Sequence, residues 1–397
     1  MLISGVRRRV SVTASSERLH PNPVLHEIFA TRGVAQKDEL DYSLARMHPP
    51  GNMLGIDRAA ELLADVIEAQ QFILIVGDFD ADGATSSALS VLALRAMGGR
   101  VDYLVPNRFD YGYGLTPEIV AVAARSKPDI IVTVDNGISS IDGVSAAREL
   151  GMKVLITDHH LPGSKLPTAE VIVNPNQRGC AFPSKNLAGV GVIFYVMIAL
   201  RSVLRQRGWF LGRGIVEPVM ADYLDLVALG TVADVVPLDS NNRMLVSQGL
   251  ARIRAGRVRP GIEALLKIGK REVDRVCAAD LGFAVGPRLN AAGRLDDMSA
   301  GIECLLASDD GEALRRAGEL DDLNLERRSI EADMQQTAMT ALERLSFEGR
   351  GELPTGLCLY DPGWHQGVIG ILASRVKDRY HRPVIAFADA GDGWIKG

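Results

Sequence analysis

Three segments of this chain begin as apolar runs and end in acidic residues or histidines. The first ends in residues 78–82 (Asp-Phe-Asp-Ala-Asp), the second in Asp135, and the third in residues 158–160 (Asp-His-His). Because the carboxyl ends of parallel strands meet at one edge of a sheet, we expect these side chains to converge. Carboxylates with imidazole suit Mn²⁺ or Mg²⁺, and closely spaced acids favour two ions over one. The sequence therefore predicts a two-metal phosphoesterase.

Two of these acidic segments have a simpler alternative explanation. Asp80 and Asp82 would point to the same face of a continuing strand, but an Asx turn or a helix cap also accounts for one of them. Three Asp residues within five positions after an apolar run are harder to explain in that way. Asp135 precedes Asn136-Gly137, which is a turn signal by itself. Taken alone, Asp135 would be interpreted as part of a turn.

The histidine pair is the more specific signal. His159 and His160 are adjacent and follow Asp158, so one histidine could bind metal while the other acts on substrate. Asp158 could orient a histidine by accepting the proton of its other ring nitrogen. Asp234 is a fourth candidate, although a loop acid before residues 235–237 (Val-Val-Pro) explains it equally well.

Composition excludes several classes of protein. The 397 residues are 47% hydrophobic, which permits a large core in two or more domains. No uninterrupted apolar run of about 18 residues is present, and no apolar stretch follows the basic residues 7–9, so we expect neither a membrane span nor a signal peptide. The net charge of −5 does not decide whether nucleic acid binds. The four cysteines are far apart, which argues against structural zinc and disulfides and fits a cytoplasmic location. They are Cys180, Cys277, Cys304 and Cys358.

Alternating apolar runs and amphipathic stretches predict an α/β fold with a mostly parallel sheet flanked by helices. Predicted strands span 72–76, 101–105, 130–134 and 153–157, and predicted helices span 57–71, with Asp57 as N-cap, 83–97, 117–126 and 141–150. We predict four parts: an N-terminal arm (1–50), a catalytic domain (51–310), a long connector helix (311–347) and the start of a smaller α/β domain (348–397).

The segments that end in these acids resemble the four motifs of the DHH phosphoesterase superfamily in order and spacing. They read Asp-Phe-Asp-Ala-Asp-Gly, Val-Asp-Asn-Gly, Thr-Asp-His-His-Leu-Pro-Gly and Gly-Thr-Val-Ala-Asp-Val-Val-Pro-Leu. Segments within 106–114, 286–294 and 363–370 resemble the RecJ family of bacterial single-strand-specific exonucleases in particular. The resemblance covers essentially residues 50–397. By it, the last two parts of the chain are a connector helix and a truncated DHH-associated domain.

The resemblance implies a metal-dependent exonuclease. Such an enzyme would degrade single-stranded DNA 5′→3′ to mononucleotides in DNA repair and recombination, with single-strand-binding protein and repair helicases as partners. The alternatives are a DHH-type phosphodiesterase acting on short oligonucleotides or cyclic dinucleotides, and a non-catalytic DHH scaffold. The RecJ family continues into Ser-Gly-Arg-Ser where this chain ends at Gly397. We therefore expect the remaining DHH-associated domain and an oligonucleotide-binding-fold domain to lie outside this chain.

The resemblance also assigns roles to individual residues. Asp135 and Asp234 would bridge or share two Mn²⁺ ions, for which Mg²⁺ can substitute, and His160 would face the scissile phosphate. The implied metal ligands are Asp80, Asp82, Asp135, His159 and Asp234; the implied catalytic or supporting residues are His160, Asp158 and Asp78; the implied substrate-binding residues are Arg108, Asn290, Arg294 and His365.

Two further groups of residues have open roles. Tyr111 and Tyr113 could stack bases at the entrance of a single-strand channel, or they could belong to a packed loop. The basic run formed by Arg252, Arg254, Arg257 and Arg259 could follow a DNA backbone, although a solvated helix face explains it better.

Overall fold

The computed structural model describes residues 17–107, 112–347, 354–391 and 393–397. Its strands are β1 (Phe72–Gly77), β2 (Arg100–Leu104), β3 (Ile130–Val134), β4 (Lys153–Thr157), β5 (Val171–Val173), β6 (Leu357–Tyr360), β7 (Val384–Asp389) and β8 (Ile395–Lys396). Its α-helices are α1 (Pro23–Thr31), α2 (Ile56–Glu68), α3 (Ala81–Ala96), α4 (Pro117–Ala123), α5 (Ile141–Glu149), α6 (Gly189–Gln206), α7 (Trp209–Arg213), α8 (Leu224–Ala233), α9 (Ser240–Arg254), α10 (Pro260–Ile268), α11 (Ala278–Asp280), α12 (Gly286–Leu295), α13 (Ser299–Leu306), α14 (Asp310–Phe347) and α15 (Ile369–Tyr380). A π-helical turn (Leu281–Val285) joins α11 to α12.

The first five strands form one parallel sheet in the order β2-β1-β3-β4-β5. The strands β1, β3 and β4 are runs of Ile, Val and Leu that are buried along most of their length, as expected when crossover helices cover both faces. Their last residues are register partners, since Gly77 pairs with Val134 and Val134 pairs with Thr157. The three acidic segments therefore leave the sheet side by side, which confirms the predicted α/β class and parallel sheet.

Most predicted elements match the structure closely, but the predicted start of one helix is wrong and one strand was not predicted. β3 and β4 have the predicted bounds, whereas α2 begins at Ile56 after Gly55, whose φ of 86° is left-handed. Asp57 therefore lies in the first turn of α2 and is not its N-cap. The strand β5 was not predicted, because three residues are too few to show a period.

The helices α2, α3, α6 and α8 pack into the main core on one side of the sheet. In the part of the chain that the structure describes, α6 is the one helix long and apolar enough to cross a membrane, by length and composition. Buried residues make up 61% of it, as in the core helix of a globular domain. Arg201 and Arg205 interrupt its apolar run, so the sequence contains no unbroken apolar stretch at this helix.

The charged segment predicted to be a long helix is α14, with 38 residues. Its first half contributes Ala317 and Leu320 to the main core, and its second half contributes Met334 and Leu342 to a second core. This second core lies against α15 and the sheet ordered β6-β7-β8. The helix thus contacts both cores, as a connector would. The boundaries at 50, 310 and 347 stay predictions.

The basic run that ends α9 mostly binds its own fold. Arg252 pairs with Asp222, and the guanidinium of Arg259 binds the buried carboxylate of Asp225. Arg254 donates a hydrogen bond from Nε to the backbone oxygen of Val276 at 2.8 Å. The expectation of a solvated face is therefore wrong for Arg252 and Arg259, whose partners come from segments distant in the sequence, whereas Arg254 is exposed.

Candidate metal centre

The first acidic segment turns directly from β1 into α3. Asp80 is the N-cap of α3, and its Oδ1 accepts hydrogen bonds from the backbone N–H groups of Asp82 (2.9 Å) and Gly83 (3.0 Å). Asp82 lies in the first helical turn, so the expectation that both side chains share one face of a strand is wrong. The helix-cap alternative describes Asp80 correctly, but it does not account for Asp82.

The N-terminus of α6 holds the carboxylate of Asp82. Its two oxygens accept hydrogen bonds from the backbone N–H groups of Gly189 (2.6 Å) and Val190 (3.0 Å). On its other side the carboxylate is crowded by α8, where a Cβ added at Gly230 would lie 2.8 Å from Asp82 Oδ1. Only glycine allows this approach, so α3, α6 and α8 pack around one buried acid.

Asp135 follows β3 in a left-handed conformation, with φ of 61°. The amide of Asn136 stabilises this turn, because Nδ2 donates hydrogen bonds to the backbone oxygens of Val76 (3.0 Å) and Val134 (2.9 Å). The turn interpretation is therefore correct at this position, and it does not exclude the metal-ligand interpretation, which stays a prediction. The turn brings the carboxylate of Asp135 into the cluster, where the residue is 2% exposed.

Asp234 lies in the turn that leads from α8 into residues 235–237. It is the C-cap of α8, and its backbone N–H donates to the oxygen of Gly230 at 2.9 Å. The partially negative C-terminal end of the helix therefore points toward the cluster, and this arrangement favours a bound cation.

The two histidines face different partners. Nε2 of His159 lies 3.0 Å from Asp135 Oδ1, 3.6 Å from Asp234 Oδ2 and 4.0 Å from Asp82 Oδ2. His160 instead places Nδ1 2.7 Å from Asp158 Oδ1. Its side chain is 46% exposed, whereas that of His159 is 12% exposed. This difference matches a buried ligand beside a substrate-facing group.

Asp158 is itself held in place by the backbone. Its Oδ1 accepts the N–H of His159 at 2.7 Å, and its Oδ2 accepts the N–H of Ile138 at 2.9 Å. Burial by itself would raise the pKa of Asp158, but the hydrogen bond and charge of His160 hold that pKa below its ordinary value. In return, the hydrogen bond to Asp158 raises the pKa of His160.

Ligand-capable atoms form three overlapping sets within the described residues. In each set one atom per residue lies within 4.8 Å of the others. The first set is Asp78, Asp80 and Asp135; the second set is Asp82, His159 and Asp234. Asp135 also groups with His159 and His160, so it adjoins both sets, as a shared carboxylate would. Asp78 is therefore among the ligand-capable acids, and Asp234 belongs to the set with Asp82 and His159.

Burial and mutual repulsion disfavour the charged forms of the clustered carboxylates. Burial raises the pKa values of Asp82 and Asp135, and the neighbouring carboxylates raise these pKa values further. Burial and the charge of Asp80 raise the pKa of Asp234 to about 7. Burial and the neighbouring His160 lower the pKa of His159 to about 4, which leaves a neutral ring with a lone pair for a metal. A divalent cation would relieve the repulsion among the carboxylates.

Three buried atoms at the centre support the same conclusion. Asp135 Oδ1, His159 Nε2 and Asp234 Oδ2 form no hydrogen bond within the described residues. A buried polar atom left in this state costs about 1–3 kcal/mol, unless a ligand binds it. Oxygen donors with a single imidazole suit Mn²⁺ or Mg²⁺. The residues that are present therefore fit a divalent metal.

Three of the residues expected to bind substrate make contacts that the structure describes. Asn290 Oδ1 accepts the backbone N–H of Ala81 at 2.8 Å, so this side chain supports the loop between β1 and α3. Arg294 Nη1 donates to the backbone oxygen of Gly367 at 3.2 Å, and His365 Nδ1 accepts the N–H of Gly367 at 3.1 Å. Arg294 and His365 therefore meet where α12 contacts the segment before α15. Arg108 and Tyr111 lie outside the described residues.

Tyr113 lies directly against the centre. Its hydroxyl is 3.3 Å and 3.4 Å from the two ring nitrogens of His160, and its ring packs edge-on against Phe79 and His160. A cavity of about 610 Å³ opens beside these residues. Its lining includes Thr116, Ser139 and Ser140. The ring is packed, as the packed-loop alternative holds, and half exposed, and its place at a channel entrance stays a prediction.

Two supporting residues were missed in the sequence. Asn174 Nδ2 donates to the backbone oxygen of His160 at 2.9 Å, and Asn176 Nδ2 donates to that of His159 at 2.6 Å. Both follow β5, the strand that was not predicted. The polar sequence Asn-Pro-Asn after Val171–Val173 is the signal that could have identified them, since it repeats the pattern of the other strand ends.

Comparison with known proteins identifies the family. The model of the DHH family, N-terminal domain, matches residues 72–231. The single-stranded-DNA-specific exonuclease RecJ of Dickeya dadantii (strain 3937) is 58% identical over 100% of this chain and 69% of its own length. RecJ of Escherichia coli (strain K12) is 58% identical over 98% of this chain and 68% of its own length.

The fold of this chain also matches that of a solved structure. The crystal structure of RecJ from Thermus thermophilus in complex with Mn²⁺ superposes with a TM-score of 0.78 and 32% identity, over 94% of this chain and 51% of that one. High identity over the whole chain and a shared fold point to the same group of proteins. The chain therefore belongs to the RecJ family of DHH proteins.

Proposed function

We propose that this chain is a metal-dependent exonuclease that hydrolyses single-stranded DNA. The observation that carries the proposal is the convergence of three buried atoms, Asp135 Oδ1, His159 Nε2 and Asp234 Oδ2, that have no hydrogen-bond partner in the described part of the chain. The RecJ relatives are named as single-stranded-DNA-specific exonucleases, and a RecJ relative has been solved in complex with Mn²⁺. When two such ions are bound, they supply an activated water and neutralise charge that develops on the phosphate.

The protein groups have separable roles in this proposal. Asp135 groups with Asp78 and Asp80 on one side and with His159 on the other, and in this proposal it is shared by the two ions, with Asp82, His159 and Asp234 as further ligands. His160 is oriented by Asp158 at 2.7 Å and is partly exposed, so it can donate a hydrogen bond or a proton to the phosphate or the leaving group.

We further propose 5′→3′ polarity with release of mononucleotides. In this proposal Arg108 and Arg294 hold phosphate, for which the guanidinium fork is well suited. His365 lies close to Arg294, because both side chains bind the backbone of Gly367. DNA repair and recombination, a cytoplasmic location, and single-strand-binding protein and repair helicases as partners belong to this proposal as well. The four free cysteines fit a reducing compartment.

The decisive experiment compares Asp135→Asn with Asp57→Asn on a 5′-labelled single strand in Mn²⁺. Asp57 is an exposed acid on α2 and serves as the matched control. Removing a residue that only supports a metal ligand lowers activity by up to about 100-fold. Because Asp135 is itself a proposed ligand, Asp135→Asn should lower activity by more than that. Asp57→Asn should behave as wild type, and a blunt duplex should resist.

Two outcomes would contradict the proposal. The metal assignment fails if Asp135→Asn retains activity within about tenfold of wild type at saturating Mn²⁺. Equal cleavage of duplex and single strand would refute the substrate class. Turnover of dinucleotides without turnover of longer strands would support a small-substrate phosphodiesterase instead.

A further inference from the structure

One large aromatic side chain near the centre is unusually exposed. Phe283 is 78% exposed, whereas Leu281 and Val285 in the same π-helical turn are fully buried and Ala284 is 3% exposed. A π-helical turn interrupts the α-helical phase and is frequently found at functional sites. The turn therefore directs one phenylalanine to solvent from a segment that is otherwise part of the core.

The π-helical turn packs on the helix end that carries Asp234. A Cβ added at Gly282 would lie 3.2 Å from Val232 Cγ1, and one added at Gly286 would lie 3.3 Å from the Cβ of Ala233. These two contacts involve the last two residues of α8 before Asp234. Phe283 lies in the sequence between the two glycines. Its backbone is therefore anchored next to a candidate metal ligand.

The helix that follows Phe283 continues along the same centre. Asn290 in α12 accepts the N–H of Ala81, and a Cβ at Gly293 would lie 1.8 Å from the backbone oxygen of Phe79. One continuous helical segment thus runs from the end of α8 to the loop that carries Asp80. Phe283 is the large, exposed apolar residue at its start.

A second exposed apolar residue flanks the same contact. Val235 follows Asp234, is 84% exposed and has φ of 61°. A β-branched residue in this left-handed conformation is strained, and glycine would be the ordinary choice at such a helix end. Strain of this kind, with the side chain left in solvent, is typical of functional positions. Two apolar side chains are therefore exposed on the two elements that meet beside Asp234.

We propose that Phe283, together with Val235, forms a stacking surface for a base of the single-stranded substrate. This inference rests on the proposed function and deepens it. Metal ions and arginines hold the phosphates, whereas an apolar surface holds the attached bases, which all present a π-face. Stacking of this kind does not depend on base identity, so it suits an enzyme that degrades strands of any sequence. It requires an unpaired base and therefore favours single strands over duplex.

The test combines protein variants with abasic substrates. The variants are Phe283→Ala, Phe283→Trp and the control Leu211→Ala, since Leu211 is 92% exposed on the distant helix α7. Each is assayed for kcat/KM on a single strand and on strands in which one abasic site is moved along the sequence. Mn²⁺ affinity and melting temperature are recorded for every variant to show whether the fold and the metal centre are intact.

Phe283→Ala should lower kcat/KM on the normal strand by about tenfold, the effect of about one lost stacking contact, while Mn²⁺ affinity and melting temperature stay unchanged. Phe283→Trp should retain activity, and Leu211→Ala should equal wild type. One abasic position should cost wild type a similar factor and should cost Phe283→Ala nothing further, because the same contact is already missing.

The inference is overturned if Phe283→Ala keeps full activity, or if the abasic penalties add to its loss. It is also overturned if Phe283→Ala loses Mn²⁺ affinity or has a lower melting temperature than wild type. Phe283 would then stabilise the fold or the metal centre and would not bind a base. Failure of the proposed function gives a different result, because wild type would then neither bind nor cleave the normal strand.

Discussion

The close contact between Gly189 and Asp135 provides a test of how the centre is built. Gly189 is the first residue of α6, and its N–H holds Asp82 at 2.6 Å. A Cβ added there would lie 2.6 Å from the Cβ of Asp135 and 2.9 Å from its Cα. These atoms belong to the backbone turn of Asp135 and cannot rotate away as a flexible side chain would.

The magnitude of the Gly189→Ala effect follows from this geometry. Two carbon atoms in ordinary contact are at least about 3.5 Å apart, and the added Cβ would lie 2.6 Å from Asp135 Cβ, so Asp135 or α6 must move by about 0.9 Å. Metal-ligand distances tolerate only about 0.2 Å. We therefore expect Mn²⁺ affinity to fall about 10–100-fold, the range for a lost outer partner of a ligand. Overpacking should also destabilise the fold by about 1–3 kcal/mol.

The assay is calorimetric titration of metal-free protein with Mn²⁺, together with thermal melting in chelator. Gly191→Ala is the matched control in the same helix, because its added Cβ would meet the flexible end of the Leu187 side chain, at 2.9 Å from Cδ2. It should bind Mn²⁺ as wild type does. A folded Gly189→Ala protein with Mn²⁺ affinity within about threefold of wild type would refute the reasoning, since outer-partner losses start at about tenfold.

Three further predictions concern other parts of the structure. His159→Ala should lose Mn²⁺ affinity, because its Nε2 faces the acids, whereas His160→Ala should bind Mn²⁺ and turn over slowly; calorimetry showing equal metal loss in both would contradict this split. Arg259→Ala should destabilise the fold by about 3–5 kcal/mol in chemical denaturation, because it strands the buried carboxylate of Asp225, which is 2% exposed, and an unchanged midpoint would refute the pairing. Arg108→Ala should slow cleavage of 5′-phosphorylated strands more than of 5′-hydroxyl strands, and equal slowing of both in a gel assay would exclude a 5′-phosphate pocket.

The sequence alone was sufficient for the parallel sheet and for three of its strand ends. The runs that became β1, β3 and β4 are apolar and β-branched, and this local pattern is the physical condition for a strand buried on both faces. Parallel register then places Asp78, Asp135 and Asp158 at one edge, since the residues before them pair directly. The role of Asp135 as a ligand and the supporting roles of Asp78 and Asp158 stay predictions.

Other features depended on contacts between distant parts of the chain. The sequence could not show that Asp234 caps a helix, because α8 reaches the cluster only by packing a glycine against Asp82. The same holds for Asn174 and for Phe283, whose positions follow from a very short strand and a π-helical turn. Periodicity records how a segment meets its own neighbours along the backbone. Which helix ends and side chains meet at the sheet edge is decided by side-chain volume and by close approach between elements, and these exist only in the folded chain.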